Sequence, residues 1–128
     1  MPQETKYDLE ERTANFGKNV IRFCKKIPLD PISRPLISQV VRSSTSIGAN
    51  YAEVQGGSSK KDFANKIYLC RKEAQETRHW LKMMEEISDL PELRSLQNEC
   101  QELILIFQKI LEKFQSFFVR DLRRIFLR

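Results

Sequence analysis

Four times along the chain, apolar residues return at alternating steps of three and four, the spacing that gathers them on one face of an α-helix. In the first stretch Leu9, Thr13, Phe16, Val20, Phe23 and Ile27 step by 4, 3, 4, 3 and 4. "IPLDP" at 27–31 breaks it, since each Pro biases the residue before it away from helical backbone. A second helix is predicted to start near Pro31 or Ile32, with Asp30 as its N-cap and Pro31 suited to the first helical position. Leu36, Val40, Ile47, Tyr51 and Val54 share its apolar face, and "QGGSS" at 55–59 ends it, the glycines supplying a left-handed cap.

The third stretch is the most regular. Phe63, Ile67, Cys70, Ala74, Thr77, Leu81 and Met84 keep the 4, 3 spacing throughout, and Leu69, Glu73, Glu76, Trp80, Met83 and Ile87 run beside them as a second line. Two seams imply more than one helical neighbour. Ser59 with Asp62 three residues on resembles a capping box, and "SDLPE" at 88–92 closes the segment. In the fourth, Leu93, Leu96, Cys100, Leu103, Phe107, Ile110, Phe114 and Phe117 repeat by 3 and 4, widened by Ile104, Leu111 and Phe118.

Four amphipathic helices with short connections and no strand-like alternation predict an all-α protein, an antiparallel up-down-up-down four-helix bundle. Its 128 residues suit one domain. The bundle is assigned to residues 1–118, and 119–128 to a basic C-terminal tail or an extension of the last helix. The opening "MPQETKYDLEER" is acidic and polar, unlike a secretory or transit peptide. The longest apolar run, "LILIF" at 103–107, is far short of the roughly 20 residues of a membrane span. A cytoplasmic protein that does not enter the membrane is expected. Cys24, Cys70 and Cys100 lie among apolar helical neighbours without CxxC spacing, so they are expected to be small core residues.

One segment resists this pattern. "SSTSIGANYAE" at 43–53 puts Ser, Thr, Gly and Asn, all poor interior helix formers, in mid-helix. Small residues let backbones approach, so Gly48, Ala49 and Ala52 are expected to meet a neighbouring helix. On a second side Arg42, Ser46, Asn50 and Glu53 step by 4, 4 and 3 as a polar stripe. Glu73 and Glu76 on the third helix are its candidate partners, with Arg42 reaching one of them in a partly buried network or subunit contact. A solvated polar face is the other reading.

Catalytic constellations are poorly represented. "EAQETRH" places Glu73, Glu76 and His79 at three-residue steps, but a di-iron bundle needs Glu-x-x-His on two helices and the chain has one histidine. "QGGSSKK" lacks the Gly-x4-Gly-Lys spacing of a phosphate-binding loop, and no GxSxG elbow occurs. The expectation is a protein that is not an enzyme and takes no metal or cofactor.

The segment "RSSTSIGANYAEVQGGSSKKDFANKIYLCRKEAQETRHWL" at 42–81 resembles the signature of the bacterial four-helix bundle proteins named after 23S rRNA intervening sequences. The pattern runs Arg-x3-Ser-Ile-x2-Asn-x2-Glu, then Ser-x2-Asp-Phe, then Lys-Glu-Ala-x-Glu-Thr-x2-Trp-Leu. Arg42, Ser46, Ile47, Asn50, Glu53, Ser59, Asp62, Phe63, Lys72, Glu73, Ala74, Glu76, Thr77, Trp80 and Leu81 fit it. The resemblance implies a small cytoplasmic bacterial protein that forms a ring, commonly a homopentamer, with no established enzyme activity. A relative, the accessory protein of diversity-generating retroelements, binds nucleic acid and a reverse transcriptase.

Charge then marks candidate RNA contacts. The net charge of +5 divides into +2 over residues 1–27, zero over 28–118 and +3 over 119–128. Lys18, Arg22, Lys25 and Lys26 on the first helix and Arg120, Arg123, Arg124 and Arg128 in the tail are the candidate phosphate contacts. An oligomeric RNA-binding scaffold is the leading expectation. A protein-interaction module that docks a partner such as a reverse transcriptase, with no direct RNA role, is the competitor.

Overall fold

The computed structural model describes residues 6–54, 56 and 59–126, with side chains described over 9–54, 56 and 59–116. Four helices follow one another: α1 (Lys6–Cys24), α2 (Ser33–Val54), α3 (Lys60–Met84) and α4 (Glu92–Phe126). Contacts run α1 to α2, α2 to α3 and α3 to α4, with α4 closing more sparsely on α1. This is an all-α up-down bundle. Among the described residues no helix is long and apolar enough to cross a membrane.

The heptad faces turn inward. Phe16, Val20, Phe23, Val40, Ile47, Ile67, Leu81, Met84, Leu103 and Phe107 are buried in one shared core. Each large side chain so buried contributes roughly 1.5–3 kcal/mol, so together they far outweigh any surface ion pair, worth about 0–1 kcal/mol. Phe117 and Phe118, expected to continue the α4 face, lie outside the described side chains.

Helix ends follow local hydrogen-bond chemistry. The Asp30 carboxylate accepts from the backbone N–H of Ile32 and Ser33, both at 2.8 Å, and Ser33 Oγ donates to the Pro28 carbonyl at 2.7 Å. Asp30 thus holds Pro31 and Ile32 in a turn, and α2 proper begins at Ser33, slightly later than the Pro31 or Ile32 start expected. These N–H bonds hold the exposed Asp30 carboxyl below its ordinary pKa. At α3 the Ser59 Oγ accepts from the Asp62 N–H at 3.1 Å, an N-cap on extended backbone. After α2, Gly56 donates to the Glu53 carbonyl at 3.1 Å without a positive φ, so it is not the left-handed cap expected of it. Gly57 lies outside the described residues.

The Ser- and Gly-rich stretch of α2 is a packing surface facing two helices. A Cβ on Gly48 would sit 3.4 Å from three backbone atoms of Thr13 and Ala14 in α1, and one on Gly17 would sit 3.4 Å from Thr45. The two glycines let α1 and α2 approach at backbone distance. Ala49 and Ala52 are more exposed than Gly48 but still border neighbouring helices, Ala49 lining the α1–α2 groove with Thr13 and Gly17, and Ala52 lying beside Asn65 and Lys66 of α3. On the α3 side, Ser43 and Thr77 are fully buried with their hydroxyls 2.8 Å apart. Thr77 Oγ1 is also 2.8 Å from the Glu73 carbonyl, so one hydroxyl proton serves that carbonyl and the other joins the helices.

All three thiols are buried, and two of them sit at helix seams. Cys70 Sγ faces the Ile47 carbonyl of α2 at 3.7 Å, and Cys100 Sγ donates to the Ala74 carbonyl of α3 at 3.2 Å. Burial pushes the Cys24 thiol up to about 11 and those of Cys70 and Cys100 to about 12, from an ordinary 9.0. Because each thiol titrates higher folded than unfolded, its contribution to stability is complete below the unfolded value and is lost as pH rises through the folded one. A thiolate-specific disulfide reagent at about pH 8 is expected to leave all three cysteines unmodified in the native protein and to label all three in denaturant. Gly48→Val, which adds a branched side chain where a Cβ alone already sits 3.4 Å from the α1 backbone, is expected to cost about 1–3 kcal/mol in chemical denaturation.

Candidate nucleic-acid interface

The polar stripe of α2 reaches α3 at both its ends. Arg42 Nη1 lies 3.4 Å from Glu73 Oε1, and Arg42 Nη2 pairs with Glu76. Trp80 Nε1 donates to the same Glu76 carboxylate at 3.0 Å, so the guanidinium, two carboxylates and the indole form one network. At the other end Glu53 pairs with Lys66 of α3. Between them Ser46 Oγ donates to the Arg42 carbonyl and Asn50 Nδ2 to the Ser46 carbonyl, both at 2.8 Å within α2. These two side chains therefore satisfy their own helix. With Arg42 half exposed, the network lies at the rim of the α2–α3 seam.

The same geometry accounts for "EAQETRH". Glu73 and Glu76 turn toward Arg42, while His79 is exposed with its ring edge-on to Trp80, centroids 4.9 Å apart. Among the described residues no three His, Cys, Asp or Glu groups gather as a metal site.

The cations expected on the first helix are all exposed but not equivalent, and only Lys18 and Arg22 are on α1, which ends at Cys24 and leaves Lys25 and Lys26 in the turn that follows. Lys18 and Lys25 face solvent, Arg22 Nη1 donates to Asn19 Oδ1 at 2.9 Å, and Lys26 crosses to pair with Glu92 of α4. That ion pair also lowers the Glu92 carboxyl pKa. At the other end of this seam Arg12 grips Glu99 through Nε at 2.7 Å and Nη2 at 2.9 Å, and reaches Glu102 at 2.7 Å. The paired charges raise the pKa of Arg12 further above its ordinary value. In the tail, the side chains of Arg120, Arg123, Arg124 and Arg128 lie outside the described residues.

A larger cationic surface lies on α3. Lys61, Asn65, Tyr68, Lys72, Gln75, His79 and Lys82 step by 4, 3, 4, 3, 4 and 3, and every one is exposed. None is acidic. Arg71 and Arg78 flank the line on the α4 side, Arg78 donating to Gln101 Oε1 at 3.1 Å and Arg71 placing its guanidinium 5.4 Å from the centroid of the Tyr68 ring. Lys61, Lys72 and Lys82 make no ion pair among the described residues, and the buried Arg71 Nε has no hydrogen-bond partner. Reasoning from charge totals missed this surface, since residues 28–118 sum to zero. Its signal is the third 4, 3 line of α3, the complement of its two seams.

Thr77→Val keeps the shape at the α2–α3 seam but leaves the buried Ser43 hydroxyl without its partner, a loss of about 1–3 kcal/mol. The double variant with Ser43→Ala is expected to recover part of that loss in equilibrium unfolding; strict additivity would deny the hydroxyl pair.

Comparison with known proteins agrees with this architecture. The family model described as 23S rRNA-intervening sequence protein matches residues 5–109. A crystal structure at 1.70 Å resolution of a protein of unknown function, from the S23 ribosomal protein family of Bacteroides thetaiotaomicron, superposes with a TM-score of 0.73 at 26% identity. The match covers 84% of this chain and 97% of that one. No curated protein matches the chain. With the family match spanning most of the bundle, the chain belongs to the 23S rRNA-intervening sequence protein family.

Proposed function

We propose that this protein is a non-catalytic, cytoplasmic scaffold that binds RNA and works as a homo-oligomer. The observation that carries the reading is the outer line of α3, a row of exposed lysines with flanking arginines and no carboxylate on it. Lysine heads on flexible stems are suited to sequence-independent phosphate contact, and neutralising phosphates releases bound counterions. The family's name, which ties it to 23S rRNA, supports RNA as the polyanion. Exposed Leu29 and Ile32 in the α1–α2 connection, and exposed Leu105 on α4, offer apolar surface for contact between copies. An oligomer would present several basic rows at once and raise avidity.

Titration against a structured fragment of 23S rRNA at low and moderate salt tests this. Affinity is expected to fall on a log–log salt plot with a slope of about −0.7 to −0.9 per phosphate contacted. Absence of binding at low salt, or an affinity indifferent to salt, contradicts it.

A further inference from the structure

We infer that the outer face of α3 is a site for double-stranded RNA, read by the shape of its backbone and not by sequence. This rests on the RNA-binding reading above and specifies the face and the form of the nucleic acid. The line from Lys61 to Lys82 extends about 32 Å at the helical rise of about 1.5 Å per residue. Cations fall along it in three groups, Lys61, then Arg71 with Lys72, then Arg78 with Lys82. The groups are separated by roughly 15 Å along the axis. That interval is several times the distance of about 3.4 Å per phosphate along one strand of a duplex. It suits a rod lying across successive backbone ridges, which a duplex presents on either side of its grooves.

Between the cations stand Asn65, Tyr68, Gln75 and His79, all exposed and all able to donate or accept hydrogen bonds. A-form RNA displays its 2′-hydroxyls in a wide, shallow minor groove, where such side chains meet both donor and acceptor. The same residues fit a single strand poorly. Single-strand sites combine a basic groove with several rings on which bases stack. Here the face is the outward side of one helix, and both of its rings are already engaged: the Arg71 guanidinium lies against Tyr68, and the His79 imidazole stands edge-on to Trp80. Trp80, next to His79, is turned toward α2 and bonded to Glu76.

The test uses the full chain and three probes of one arbitrary sequence: an RNA duplex of about 16 base pairs, the span of a shape-reading domain, its single strand, and the DNA duplex. The RNA duplex is expected to bind at least about tenfold tighter than either alternative. Lys72→Glu with Lys82→Glu, both exposed and unpaired, is expected to weaken it at least about tenfold and flatten the salt slope by about 2. Lys18→Glu with Arg22→Glu, in the α1 row that the sequence singles out, is expected to weaken it less than the α3 variant does, with unfolding midpoints checked for both variants. Equal or tighter binding of the single strand or the DNA overturns the inference and leaves RNA binding standing. So does a loss confined to the α1 variant. No binding to any probe at low salt removes both.

Discussion

The close approach of α2 to both of its neighbours is the constraint on which the other features depend. Gly48 and Gly17 set the α1–α2 distance at backbone contact, and the Ser43–Thr77 hydroxyl pair ties the opposite side of α2 to α3. The residues that allow this are poor helix formers. Their intrinsic cost, about 0.5 kcal/mol for each Ser, Thr or Asn and about 1 for Gly, sums to roughly 3–4 kcal/mol over residues 43–50. Burial of Val40, Ile47, Tyr51 and Val54 on the same helix returns roughly 6–12 kcal/mol at about 1.5–3 each. Packing wins, and the helix persists.

With α3 held on one side by α2 and on the other by α4, its remaining third has nowhere to face but outward. The carboxylates sort in the same way. Glu53, Glu73 and Glu76 are taken up at the α2–α3 seam, and Glu92, Glu99 and Glu102 at the α1–α4 seam. Each seam consumes acids and leaves the outer line of α3 cationic, although the middle of the chain is neutral in total. A surface field can therefore be strong where the net charge is zero, because binding depends on the side of a helix and not on a sum over sequence.

Apolar spacing made the core legible, since a heptad line fixes which residues share a face, and the Asp30 and Ser59 caps were equally readable because they involve neighbours two or three residues away. Where long side chains choose between partners, spacing is silent. Lys26 sits in a row with Lys25 yet reaches across to Glu92, and Asn50 bonds back to its own helix instead of crossing the seam. Ala49 and Ala52 are alike in size, but Ala49 lines the α1–α2 groove while Ala52 borders α3, and small size alone does not say which neighbour a residue meets. The α3 row was present in the spacing all along; its complementary position to two seams, and not its charge count, gives it meaning.

Hydrogen exchange along α2 tests the central claim most directly, because a helix held by packing and one held by propensity differ most where propensity is lowest. If α2 is clamped between α1 and α3, the amides around 43–51 should exchange only through global unfolding, as slowly as those around Leu103–Phe107 in α4. Faster exchange there by local opening, with α4 still protected, would contradict the account: the Ser- and Gly-rich face would then be a weak point and not the clamp that turns α3 outward.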